Sequence, residues 1–193
     1  MGKKRDIKQI EAITRLFRMD EIQHSEQLQK VLLPGIFQHL TQSLVGETCT
    51  QVHFSHGDEL CLDFGPLSPC EHPQLTHLKR GTWGLCTRAT PWKLYGDRQL
   101  LLDSDAPQTD REIAQAKGFS RDTLQGKTLL NLTLDPETLE TSLSFSENHA
   151  LILYPDLWDE DELQHWVLLM PSAQVLAIGP GYRWACRSVH DRA

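Results

Sequence analysis

The sequence predicts a mainly β protein of the α+β class, in which two tandem antiparallel β units from an internal duplication form a sandwich or split barrel behind an N-terminal helical segment. Apolar residues recur at three- and four-residue steps before Gly46 and alternate with polar residues after it. Two stretches of the β-rich part also match each other in the same order. The 193 residues are 39% hydrophobic and 23% charged, which is sufficient for a buried core.

The helical segment covers residues 1–44. Residues 6–19 have the spacing of an amphipathic helix, with apolar positions at Ile7, Ile10, Ile13, Leu16 and Phe17. A second helical stretch begins near Ser25. Pro34-Gly35 is expected to break it, with Pro34 as the first residue of a further helix, because proline lacks the N–H that a helix interior needs.

After Gly46 the period of two predicts strands. A β-hairpin is expected around Gly57-Asp58, with apolar positions at Val52, Phe54, Leu60, Leu62 and Phe64. Further strands are expected at residues 83–85 and 92–94, around a turn at residues 89–91, and at residues 100–102. Thr109 and Glu112 have the spacing of a capping box, and Gly118 suits a helix end, so residues 109–117 are predicted to be a short helix.

The duplication is predicted from three aligned blocks. Leu44-Val45-Gly46 matches Leu124-Gln125-Gly126, Phe54-Ser55 matches Phe145-Ser146, and Trp83 matches Trp166, which places Trp92 opposite Val175. The alignment divides the chain into a helical segment (1–44), a first β repeat (45–103), a helical connector (104–123), a second β repeat (124–185) and a tail (186–193). A small sheet is marginal alone, so each repeat is expected to bury its apolar face against the other.

Cysteine usage and hydropathy predict the compartment. The five cysteines are an odd number with no Cys-x-x-Cys pair, which is typical of free thiols in a reducing environment. No apolar stretch reaches the length of a membrane span, and the basic residues 1–5 are not followed by the apolar run of a secretory signal. The sequence therefore predicts a cytoplasmic protein without membrane contact.

Charge is distributed unevenly. The net charge is −7, and residues 128–182 contain nine acids and no Lys or Arg. Phosphate binding needs clustered cations, so nucleic acid is not expected as the ligand of the second repeat, and the excess of acids fits either simple solubility or a basic protein partner. An exposed aromatic residue among charges is typical of an interface anchor. The predicted contact residues are Asp156, Trp158, Asp159, Glu160, Asp161 and Glu162.

Histidines and cysteines in the first repeat suggest a metal site as an alternative. His53-x-x-His56 and Cys70-x-His72 would supply the two arms of a tetrahedral zinc site. The spacing matches no zinc finger or ribbon, and His53 and His56 would point to opposite faces of a regular strand. No cofactor is therefore predicted, and zinc or small-ligand binding between the repeats stays an alternative.

Catalytic motifs are absent from the sequence. It has no nucleophile elbow, no His-Glu-x-x-His and no dinucleotide fingerprint, and Gly179-Pro180-Gly181 lacks the Gly-Lys-Ser/Thr ending of a phosphate loop. The sequence therefore predicts a protein that is not an enzyme.

The sequence of residues 142–184 resembles that of a known group of small β-domains. The runs at 143–146, 151–153, 165–168 and 175–181 resemble small bacterial β-domains of unknown function, some of which look like immunity-type proteins that neutralise toxins. The resemblance implies a β fold and an inhibitor-type role against a protein partner, and it implies no catalytic residues. The alternative is a structural or assembly subunit that forms homo-oligomers through its N-terminal helices.

Overall fold

The computed structural model describes residues 26–55, 59–70, 78–88, 90–158, 163–171 and 173–189. The mainly β fold with helices is confirmed. The helices are α1 (Glu26–Thr41) and α2 (Asp110–Leu124). The strands are β1 (Cys49–Phe54), β2 (Leu60–Phe64), β3 (Ser68–Pro69), β4 (Lys79–Arg80), β5 (Trp83–Cys86), β6 (Trp92–Gly96), β7 (Gln99–Asp103), β8 (Leu129–Leu134), β9 (Thr141–Phe145), β10 (His149–Leu153), β11 (Trp166–Met170), β12 (Gln174–Ile178) and β13 (Trp184–Ser188).

Two antiparallel sheets enclose one core. The six-stranded sheet has the order β1-β2-β5-β11-β12-β13, and the five-stranded sheet has the order β7-β6-β10-β9-β8. The rings of Phe64 and Phe145, one from each sheet, stack with centroids 6.3 Å apart. Phe37 of α1 meets Trp166 edge to face at 6.1 Å. Burying one such side chain stabilises the fold by about 1.5–3 kcal/mol, so the core that both sheets share holds them together.

The sheets join at a corner where the backbone follows a pseudo-twofold axis. The Gly46 N–H donates to the Leu129 carbonyl (2.8 Å), and the Gly126 N–H donates to the Cys49 carbonyl (2.7 Å). In the same way, the Cys49 N–H donates to the Lys127 backbone carbonyl, and the Leu129 N–H donates to the Glu47 backbone carbonyl. Thr48 and Thr128 form the bridge on the axis. Every bond of this corner therefore has a counterpart 80 residues away.

The equivalence continues along both repeats. β1 pairs with β2 through an irregular register between Cys49 and Gln51, and β8 pairs with β9 through the same irregularity between Leu129 and Asn131. The series α1-β1-β2-β5-β6-β7 therefore corresponds to the series α2-β8-β9-β10-β11-β12. The final strand, β13, has no counterpart in the first series.

The two repeats exchange strands. The six-stranded sheet contains β1, β2 and β5 of the first repeat, and β5 pairs with β11 of the second. The five-stranded sheet contains β8, β9 and β10 of the second repeat, and β10 pairs with β6 of the first. The helices are exchanged too, since α2 packs against β1 and α1 packs against β8. Residues 45–103 and 124–185 are thus repeats that share both sheets. The predicted connector contains α2, which opens the second repeat, and β13 extends to Ser188, beyond the predicted boundary at residue 185.

Strand pairing corrects the alignment of the repeats. Leu168 pairs with Leu85 as Leu94 pairs with Leu151, which makes Trp92 the equivalent of Trp166. Trp83 faces Phe64 as His149 faces Phe145, so Trp83 corresponds to His149. The predicted match of Trp83 with Trp166 is wrong. The expected strands at residues 83–85 and 92–94 are present, and a turn in which the Thr90 N–H donates to the Thr87 carbonyl (2.9 Å) lies between them, but the two strands belong to different sheets.

Both helices run beyond their predicted ends. α1 continues through Pro34, which was expected to break it. Leu33, Phe37 and Leu40 are buried, and this packing offsets the hydrogen bond that Pro34 cannot donate. α2 has the predicted capping box at Thr109 and Glu112 but passes Gly118 and ends at Leu124, which is fully buried. The helix predicted at residues 6–19 and the turn at Gly57-Asp58 lie outside the described residues.

Two of the cysteines are not free. Cys61 of β2 and Cys86 of β5 face each other in register and form a disulfide, with their Cα atoms 4.3 Å apart. Adjacent strands hold the two cysteines side by side, which the sequence separation of 25 residues does not reveal. The remaining thiols, at Cys49, Cys70 and Cys186, are free as expected. Neither described helix is long and apolar enough to cross a membrane.

Candidate partner-binding surface

The predicted contact residues follow the last strand of the second repeat in the five-stranded sheet. After β10, the Tyr154 N–H donates to the Pro91 carbonyl (2.8 Å), which fixes the start of the loop. The Asp156 carboxylate accepts the Trp158 N–H (3.0 Å), a local turn for which aspartate is well suited. Between them, Leu157 packs against the core and anchors the loop.

Trp158 is the described tryptophan that stays in solvent. It is 84% exposed, whereas Trp83, Trp92, Trp166 and Trp184 are all buried. An exposed indole on an anchored loop loses little conformational entropy when it binds, and tryptophan is enriched among the residues that dominate interface energies. Asp159, Glu160, Asp161 and Glu162 follow directly in the sequence and lie outside the described residues.

Two acids of the lysine-free stretch are neutralised by lysines from outside it. Lys127 pairs with Glu147, and Lys30 lies 3.8 Å from Glu137 and 3.5 Å from the centre of the Tyr182 ring. Asp156 forms no ion pair with the described residues. Neither of these two ion pairs involves Asp156 or Trp158. This surface, defined by Asp156 and Trp158, is the candidate partner-binding surface.

The described members of the predicted zinc site take other roles. His53 lies on β1 with its Nδ1 atom 3.4 Å from the Asp63 Oδ2 atom. Cys70 follows β3, and its N–H donates to the Leu78 carbonyl (2.9 Å). His56 and His72 lie outside the described residues. Within the parts of the chain that the structure describes, no group of three or more His, Cys, Asp or Glu residues is placed to hold a metal ion.

Asp63 is a buried carboxylate that sequence reasoning missed. It is 1% exposed, and its Oδ1 atom accepts the Gly81 N–H at 3.0 Å. A Cβ on Gly81 would lie 2.6 Å from the Phe64 carbonyl oxygen, so only glycine brings this N–H close enough. The available signal is the nearly continuous apolar run Leu60–Phe64, which is typical of a strand buried on both faces, whereas alternation alone places Asp63 on the face opposite Leu62 and Phe64.

Burial shifts the pKa of both His53 and Cys49 in the direction that favours the uncharged side chain. Desolvation lowers the pKa of His53, although the charge of Asp63 opposes this and Arg80 adds to it. Burial raises the pKa of the Cys49 thiol to about 12, with a contribution from Asp63. A thiol of this kind is a poor nucleophile at neutral pH. These groups therefore have the character of a structural cluster beneath β1.

Comparisons with family models, with curated proteins and with solved structures gave no match to this chain.

Proposed function

We propose that this chain is a non-enzymatic module that binds a basic protein partner through the candidate partner-binding surface and the acids that follow it. The observation that carries the proposal is the 84% exposure of Trp158 on an anchored loop. A soluble protein ordinarily buries such a large aromatic side chain, and an exposed one at a loop tip is most useful when a partner covers it.

The charges beside Trp158 support a basic partner. Residues 156–162 contain five acids and no cation, and the neighbouring stretch from 128 to 182 adds no Lys or Arg. Like charges in a loop repel each other, so a positive partner surface relieves this repulsion on binding. Complementary charge also speeds the diffusional encounter of two proteins.

The resemblance to immunity-type β-domains supports an inhibitor as the form of this function. An inhibitor needs a rigid scaffold that presents a preformed surface, because ordering a flexible surface on binding costs affinity. The exchanged repeats supply such a scaffold, since β10, which leads into the Trp158 loop, lies at the centre of the five-stranded sheet.

Affinity capture with matched baits tests the proposal. The wild-type chain, Trp158→Ala, and the double variant Glu160→Lys with Asp161→Lys are immobilised and exposed to host lysate at low and moderate salt, with bound proteins quantified by mass spectrometry. The charge control is Asp110→Lys with Asp122→Lys, which changes two exposed acids on α2.

The proposal expects a basic protein that is captured by the wild type and by the charge control. Both loop variants should capture it at least about tenfold less, since central aromatic anchors often contribute more than 1 kcal/mol. Equal capture by all four baits would overturn the proposed surface. Capture by the loop variants but loss in the charge control would place the partner on another face.

A further inference from the structure

The five-stranded sheet ends in an open strand. β7 pairs with β6 on one side, and no described strand lies on its other side. Leu100 and Leu101 lie in this strand and are 51% and 40% exposed. The strand Gln99–Asp103 contains three consecutive leucines and neither lysine nor proline, the residues that commonly protect an edge.

The pseudo-twofold axis shows what covers the equivalent edge. β12 is the counterpart of β7, and β13 pairs with it antiparallel. Gln174 lies opposite Ser188 at one end of the pair, and Ile178 lies opposite Trp184 at the other. The first repeat has no such strand, because the chain turns after Asp103 and enters α2, which packs against β1. Among the residues that the structure describes, the edge of β7 therefore lacks the strand that covers the equivalent edge of β12.

We propose that the β7 edge binds the β7 edge of a second copy of this chain, antiparallel and about a twofold axis, which joins the five-stranded sheets of two molecules into one continuous sheet. A symmetric dimer needs a self-complementary patch. β7 has one: its central leucines meet the leucines of the other copy, and unpaired backbone groups of both edges hydrogen-bond.

Charge at the strand ends favours this antiparallel arrangement. Arg98 precedes β7, and Asp103 and Asp105 end it. Asp103 is already paired with Lys93 at 3.1 Å, which leaves Asp105 for a cation from the partner. Antiparallel pairing brings Arg98 of each molecule beside Asp105 of the other, at both ends of the interface.

The interface is short. The register between β6 and β7 shifts between Leu94 and Tyr95, and a Cβ on Gly96 would lie 2.7 Å from the Leu101 Cδ1 atom, so Leu101 turns back over the molecule's own sheet. Leu100 is left as the main apolar contact. A small interface of this kind predicts a weak dimer that dissociates on dilution within the micromolar range.

Sedimentation of the full-length chain over a series of concentrations tests the dimer. Leu100→Lys should raise the dissociation constant at least about tenfold, because it replaces the main apolar contact of each copy with a cation. The matched control is Leu130→Lys, which changes another exposed leucine on β8 at the opposite edge of the same sheet and should leave the dimer unchanged.

A charge exchange tests the orientation and does not depend on the leucine variants. Arg98→Glu and Asp105→Lys should each weaken the dimer, and the double variant should restore it. A chain that stays monomeric at every concentration overturns the proposal. A dimer that Leu100→Lys leaves intact, or that the double variant fails to restore, overturns it as well.

Discussion

At the scale of single residues, two features stand out: the solvent-exposed indole of Trp158 and the contact between the half-buried His53 and the buried Asp63. The acidic loop around Trp158 was predictable from sequence, because charge and aromatic content are local properties. The His53–Asp63 pair was not predictable, because it joins neighbouring strands whose register is set by the fold.

The exposure of Trp158 is testable without a partner. Because the other described tryptophans are buried, Trp158 should supply most of the fluorescence that iodide or acrylamide quenches. Trp158→Phe should shift the emission to shorter wavelength and remove most of this quenching. Trp184→Phe is the control for loss of an indole. Quenching that persists in Trp158→Phe would contradict the exposed position.

Stability should depend on the protonation of His53. A pKa lowered in the folded state means that the unfolded chain binds the proton more readily, so stability is fully present above the ordinary value of 6.5 and falls as pH drops below it. Chemical unfolding between pH 7.5 and about 5 measures the slope. His53→Gln should reduce the slope, with His39→Gln as the control, and an unchanged slope would contradict the account.

Asp63 should contribute to stability through the Gly81 N–H. Asp63→Ala leaves that buried N–H without its acceptor and should lower the free energy of unfolding by about 1–3 kcal/mol. Asp63→Asn keeps an acceptor oxygen at the same position and should cost less. Denaturant titration of the two variants measures the difference, and equal losses would show that the hydrogen bond is not the cause.

At the scale of elements, the helices and most strands were predictable because period and capping are local. The pairing of elements was not. Trp83, Trp92 and Trp166 are each followed by leucine two residues later, so the local pattern fits either alignment of the repeats. Long-range hydrogen bonding selects Trp92, and the pairing of β2 with β5 brings Cys61 beside Cys86.

The equivalent corner glycines should respond alike to substitution. Gly46 and Gly126 have φ of 98° and 87°, and a Cβ would meet nothing within 4 Å at either site. Each change to alanine should therefore cost about 1–2 kcal/mol from backbone strain alone. Gly35→Ala, inside α1, should instead stabilise by up to about 1 kcal/mol. Thermal unfolding of the three variants tests this, and a clear difference between the two corner sites would contradict the pseudo-symmetry.

The disulfide between β2 and β5 should be detectable by alkylation. In denaturant without reductant, Cys49, Cys70 and Cys186 should react, and all five cysteines should react after reduction. For a sequence separation of 25 residues, loss of the bond should lower stability by about 3 kcal/mol. Five reactive thiols before reduction would contradict the bond.

At the scale of the whole molecule, the exchange of strands makes one cooperative body from two repeats. Of the three predicted blocks, the match of Leu44-Val45-Gly46 with Leu124-Gln125-Gly126 is confirmed by the equivalent corner bonds. The matches of Trp83 with Trp166 and of Phe54 with Phe145 are wrong, because Trp92 and Phe64 are the structural equivalents. The exchange was not predictable, because a repeat that keeps its last strands and a repeat that donates them have the same sequence. The consequence is that both repeats support the loop that carries Trp158.

The association rate of the captured partner tests the central claim of a charge-assisted binding surface most directly. The rate is measured at increasing salt for the wild type, for Glu160→Lys with Asp161→Lys, and for Asp110→Lys with Asp122→Lys. The account expects the wild-type and control rates to fall steeply with salt, and the loop variant to associate slowly with a flat or inverted dependence. Identical salt dependence in all three chains would contradict it.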